Sequence, residues 1–182
     1  MKFVCRVLSL VAVASSTALA QKGAAPPIEI GFDGSLSRVT TTEGGAVLRD
    51  FSFTQLQLPV QAVRVGFPLS PALSLEPTLT LIHYNTGSDD QTAFAGNLAL
   101  MYAFSENRSQ PQWFVRPFVG IQHQSNAIGG DHTVLGAGGG IRLPVSDRIA
   151  TRIEGRYTYL TESNGFGGHE LGLYFGLSFF TH

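Results

Sequence analysis

The chain has 182 residues, with 12 basic and 13 acidic side chains and a formal net charge of −1. A balance so close to neutral excludes a nucleic-acid-binding or polybasic surface, while a hydrophobic share of 43% supports one packed domain. A single cysteine, Cys5, excludes a disulfide framework.

The N-terminus reads as a secretory signal peptide over residues 1–20. Lys2 and Arg6 make a positive start, "VLSLVAVA" (Val7 to Ala14) an apolar core, and "ALA" (Ala18 to Ala20) a small-residue cleavage site. Cys5 lies inside this leader and so is no lipid anchor. The expected domain is 21–182. No later apolar run has the length of a transmembrane helix, so any membrane crossing is made by strands.

Eight strands are predicted at 28–39, 51–65, 72–84, 92–104, 113–124, 133–143, 149–161 and 169–180. Each is about ten residues or slightly longer, as a tilted membrane strand requires. Three connections, "GFPLSPA", "SENRSQPQ" and "PVSD", carry proline and read as turns. The other four, "TTTEGGAVLRD", "NTGSDDQ", "NAIGGD" and "ESNGFGG", carry none and read as short outer loops. With the N-terminus on the periplasmic side, the two sets alternate as in an up-and-down barrel.

Side-chain parity separates two faces. In the last strand Leu171, Leu173, Phe175, Leu177 and Phe179 share one face, and Glu170, Gly172, Tyr174, Gly176 and Ser178 the other. In the seventh, Arg152, Glu154, Arg156 and Thr158 oppose Ile153, Tyr157 and Tyr159. Across the strands the polar face collects Arg64, Arg116, Arg142, Arg152 and Arg156 against Glu29, Asp33, Glu76, Glu154 and Glu170. Five cations matched to five carboxylates suit a closed lumen, where an isolated charge is costly and a paired one tolerable. The Leu/Phe/Tyr face therefore looks at lipid. The fold class is all-β, an eight-stranded antiparallel up-and-down transmembrane β-barrel.

Three prolines, Pro59, Pro77 and Pro117, fall inside strands, and a closed barrel has no edge to hide them. Parity slips near Gln61 to Arg64, which predicts a bulge. "GAGGG" (Gly136 to Gly140) fails the dinucleotide fingerprint because Ile141 stands at the third glycine position. Its small inward residues instead let a narrow barrel close around arginines. Phe51, Phe53, Tyr84, Tyr159 and Phe166 near one end, and Phe67, Phe104, Trp113 and Phe180 near the other, are expected as interfacial belts.

This pattern resembles the small eight-stranded outer-membrane barrels, the OmpA/OmpX-like superfamily. "LGAGGGIRLPVSDRIATRIEGRYTYL" (Leu135 to Leu160) is similar to that family's penultimate hairpin, and "LGLYFGLSFF" to its closing strand. The resemblance implies an outer-membrane location, contact with membrane lipids and lipopolysaccharide, and recognition of the closing strand by the outer-membrane assembly machinery. It implies no cofactor and no nucleic acid, and leaves the oligomeric state open. Only Thr181 and His182 follow the last strand, so no peptidoglycan-binding domain is expected.

"HQSNA" (His123 to Ala127) is similar to the His-x-Ser-Asn signature of outer-membrane lipid A deacylases, which implies Ser125 as nucleophile and His123 as base. A serine needs such a base, and the base an orienting acid. In that family the motif sits on a late strand; here it is on the fifth, and the nearest acid is Asp131. His123, His132 and His169 lack metal-ligand spacing, so no metal site is expected. The reading is a non-catalytic outer-membrane barrel with a charge-plugged lumen and a structural or surface-interaction role. A lipid A acyl-ester hydrolase is one alternative. A lipocalin-like soluble barrel, with its apolar face inward, is the other.

Overall fold

The structure, a computed structural model, describes residues 27–43, 46–85, 90–124, 131–163 and 166–181. The leader at 1–20 and Ser125 lie outside them. Alternation of apolar and polar residues builds eight strands: β1 (Glu29–Glu43), β2 (Ala46–Pro68), β3 (Leu73–Asn85), β4 (Asp90–Ala103), β5 (Gln112–Gln124), β6 (Asp131–Ser146), β7 (Ile149–Ser163) and β8 (Phe166–Phe180). Each pairs antiparallel with its sequence neighbours, and β1 closes on β8 from Glu29↔Phe180 to Glu43↔Phe166. Thr181 N–H donates to the Ile28 carbonyl and Ile28 N–H to Thr181 Oγ1, both at 2.9 Å, fastening the two ends of the chain beside that seam.

The strands reach further from the termini than the sequence suggests. β1 and β2 stay paired to Glu43↔Ala46, and β7 and β8 to Ser163↔Phe166. Most of "TTTEGGAVLRD" and "ESNGFGG" is thus ladder rather than loop, because hairpin pairing continues through polar residues that carry no parity signal.

The apolar face is outside. Leu171, Leu173, Phe175, Leu177 and Phe179 are exposed, while Gly172, Tyr174 and Ser178 are buried. On β7, Arg152, Glu154, Arg156 and Thr158 are buried between exposed Ile153, Tyr157 and Tyr159. A lipocalin-like soluble barrel requires the reverse, so that alternative is overturned. A wall of exposed Leu, Phe, Ile and Val around buried charge has hydrocarbon as its natural solvent.

The prolines are accommodated by gaps in the ladder, since proline has no N–H to donate. Between β2 and β3 the register passes from Arg64↔Thr78 to Phe67↔Leu75 with no rung at Glu76 or Pro77. Between β4 and β5 it passes from Ala99↔Phe118 to Tyr102↔Val115 with none at Arg116 or Pro117. Pro59 lies in a bulge: Asp33 pairs with Ala62 but Ser35 pairs with Gln57, so residues 58–61 stand opposite Gly34 alone. The bulge sits just before the Gln61–Arg64 stretch where parity slips.

The glycine stripe of β6 makes room inside. Gly136, Gly138 and Gly140 pair with Phe118, Arg116 and Phe114 on one side and with Thr158, Arg156 and Glu154 on the other. A Cβ on Gly138 would run into the Glu154 carboxylate, and one on Gly140 into the Ile153 carbonyl oxygen.

Candidate functional site: the lumen and the outer rim

Two features carry chemistry: the barrel interior and a polar pair on its outer wall. Inside, strand parity aims charges from six strands at one axis. Near the termini, Glu29 bridges Arg64 at 2.5 Å and Arg142 at 2.6 Å, and accepts from Ser178 Oγ at 2.6 Å. Arg64 also reaches Asp33 at 3.4 Å and Glu76 at 3.5 Å. Glu76 accepts from Arg116 Nε at 2.8 Å and from Arg152 at 3.1 Å. Glu154 then meets Arg152 and Arg156 at 3.0 Å and Arg116 at 3.6 Å. The ion pairs thus run unbroken from Arg142 to Arg156, and both Arg64 and Glu76 are 0% exposed.

Of the ten residues expected in this network, nine meet in it. Glu170 does not join through an arginine among the contacts described; it accepts from the Tyr174 hydroxyl at 3.0 Å. Tyr174 lies under Arg156, whose Cζ is 3.7 Å from the ring centroid.

Sequence reasoning missed the aromatic part of the plug. Arg152 stacks on Phe114 at 4.1 Å, and Arg156 and Arg116 flank Phe118 at 5.5 and 5.7 Å. Phe114 and Phe118 share parity with Arg116, and that is the signal that finds them. A guanidinium over a ring face gains quadrupole attraction that its ion pairs leave unused. Phe180, assigned to a belt, turns inward instead, between Arg108 at 5.7 Å and Arg142 at 5.6 Å. Its parity with Ser178 dictates this. Phe104 and Trp113 do face outward, with 64% and 63% exposure. The side chains of Phe51, Phe53, Tyr84 and Phe166 lie outside the described residues.

On the outer wall, His123 and Asp131 face each other as a cross-strand pair of β5 and β6. His123 Nδ1 lies 2.7 Å from Asp131 Oδ1, and both side chains are exposed. The acid beside His123 is therefore Asp131 itself, brought there by hairpin register rather than by sequence spacing. The other histidines diverge. His132 points inward and bonds the Thr161 carbonyl at 2.9 Å, while His169 points outward and stacks on Tyr157 at 6.2 Å. Among the described residues no three His, Cys, Asp or Glu side chains are placed to share a metal ion.

No family model and no curated protein matches the chain. A solved structure, Neisserial surface protein A (NspA), matches it with a TM-score of 0.61 at 14% identity, over 84% of this chain and 96% of that one. The chain has the eight-stranded outer-membrane barrel fold. Two further barrels are similar at lower scores. Ail of Yersinia pestis has a TM-score of 0.46 at 13% identity over 85% and 99% of the two chains. The outer membrane enzyme PagL has 0.46 at 11% over 78% and 97%. With its apolar wall outward, this barrel resides in the outer membrane, its termini at the periplasmic end.

Proposed function

We propose that this outer-membrane barrel is non-catalytic and serves a structural or surface-interaction role, with lipids and lipopolysaccharide as its neighbours. The supporting observation is the lumen: a continuous chain of ion pairs and stacked rings from Arg142 to Tyr174 occupies the interior of an eight-stranded barrel, which is just wide enough for side chains. Such a barrel anchors and presents its outer rim rather than conducting solutes. Purified protein in planar bilayers should give no stepwise conductance. Stable channel openings would refute a closed lumen. The closing strand, Leu171 to Phe180, is the segment offered to the assembly machinery, with Phe179 on its outward face.

A second reading, a lipid A acyl-ester hydrolase, draws on one observation. The 2.7 Å contact of His123 Nδ1 with Asp131 Oδ1 fixes the imidazole and leaves Nε2 to accept a serine proton. In that reading Ser125 attacks the acyl ester, His123 takes its proton and Asp131 orients His123. Lipid A mass spectra from cells with and without the protein decide between the two. An unchanged acyl number fits the non-catalytic barrel. Loss of one acyl chain that disappears in Ser125→Ala and falls in Asp131→Asn would establish the hydrolase.

A further inference from the structure

The barrel wall is split along one seam. β2 and β3 share rungs only from Pro68↔Ser74 up to Ala62↔Thr80. Beyond that point each continues paired on its other side, β2 with β1 as far as Ala46 and β3 with β4 as far as Asn85↔Asp90. The stretch Leu81–Asn85 thus has no ladder partner on the β2 side. The cause lies in the sequence: residues 58–61, with Pro59 among them, form the bulge that carries β2 out of register where Gln61 would meet Leu81. At β6–β7, by contrast, the ladder also stops early, but Thr133 N–H donates to Thr161 Oγ1 at 3.0 Å and His132 bonds the Thr161 carbonyl, so side chains replace the rungs.

The split opens at a defined depth. From Leu73 to Leu81 the outward residues of β3 are apolar, a rise of roughly 20 Å along the membrane normal for a tilted strand. Leu79 and Leu81, beside the split, are 59% and 67% exposed. The unpaired edge therefore begins where hydrocarbon gives way to headgroups. Alternate residues of such an edge turn both an N–H and a C=O toward the gap. Hydrocarbon satisfies neither, and a phosphate only accepts. Hydroxyl groups both donate and accept, so a polyhydroxylated headgroup matches the edge.

We propose that the β2–β3 split is a lateral cleft that binds the sugar headgroup of an outer-leaflet glycolipid through the backbone of Leu81–Asn85, with its acyl chains against Leu79 and Leu81. The proposal rests on the outer-membrane placement and is independent of whether the lumen is closed. It is tested by hydrogen exchange of the 81–85 amides in nanodiscs holding one protein each, which removes a second copy as a pairing strand. Phosphatidylcholine discs are compared with discs that also contain lipopolysaccharide. Exchange in 81–85 should be fast in phosphatidylcholine and about tenfold slower with lipopolysaccharide, while residues 94–99, paired on the β3 side throughout, stay unchanged. A disulfide across the missing rung, Gln61→Cys with Leu81→Cys, should make exchange slow in both lipids and remove the difference. Equally slow exchange in both for the native chain would mean that the seam closes on itself. Equally fast exchange would mean that only water enters. A lipopolysaccharide effect that survives the oxidised disulfide would place the glycolipid elsewhere. Each of these three results overturns the proposal.

Discussion

Glu76 accepts hydrogen bonds from Arg64, Arg116 and Arg152 together, and its carboxylate has no contact with water. Removing that charge strands three guanidiniums whose other partners are fixed. Glu76→Gln should therefore destabilise the folded barrel by about 3–5 kcal/mol, the range for breaking a buried ion network, read as a lower urea midpoint in refolded protein. An unchanged midpoint would mean that water screens the lumen. The glycine stripe predicts a contrast one residue apart. Gly140→Ala drives a methyl into the Ile153 carbonyl, whereas at Gly139, on the outer face, the nearest atom to a new Cβ is an oxygen at 3.5 Å. Gly140→Ala should cost about 1–3 kcal/mol and Gly139→Ala little, as a comparison of urea midpoints would show. At this scale most of the interior was legible in the sequence, because period-two parity assigns each arginine and carboxylate to a face. Three residues were not. Phe180 follows its parity inward although aromatic character suggested a belt. Glu170 meets a phenol because Arg156 is already spent on Glu154 and Tyr174. Asp131 finds His123 through cross-strand register, which sequence separation does not encode.

At the scale of strands, proline marks the places where the ladder fails. The rungs at Glu76 and Pro77 are absent from β2–β3, and those at Arg116 and Pro117 from β4–β5. Pro117→Val restores a donor facing β4 without changing the outward, apolar character of the site. It should slow exchange of the adjacent β4 amides and raise stability by about 0.5–1.5 kcal/mol, the net worth of one backbone hydrogen bond. No change in exchange would mean that Leu100 and Met101 are held by something other than the ladder. The number and order of strands were readable from alternation and turn residues. Their far ends were not, because Thr40 to Asp50 and Glu162 to Gly168 pair through backbone alone. The width of the bulge was likewise hidden: sequence shows that parity slips, but not that residues 58–61 stand opposite a single residue.

At the scale of the whole molecule, the inside-out distribution of residues dictates behaviour. The folded barrel should resist dodecyl sulfate at room temperature and migrate differently after boiling, since every wall hydrogen bond is internal to a closed sheet; identical mobility before and after boiling would contradict closure. The lumen charges also divide unevenly along the chain. β1–β4 contribute Glu29, Asp33 and Glu76 with only Arg64, while β5–β8 contribute Arg116, Arg142, Arg152 and Arg156 with only Glu154 and Glu170. Each half alone would present like charges to its own concave side, and each carries the complement of the other. The polypeptide is in effect two half-shells of opposite sign joined by the turn at Ser105–Pro111. Severed within that turn and expressed together, the halves should reassemble into a protease-resistant barrel. Reversing the sign of one half, by Arg116→Glu with Arg142→Glu, should abolish reassembly of the cut chain. The uncut chain, whose halves are tethered at high effective concentration, should suffer less.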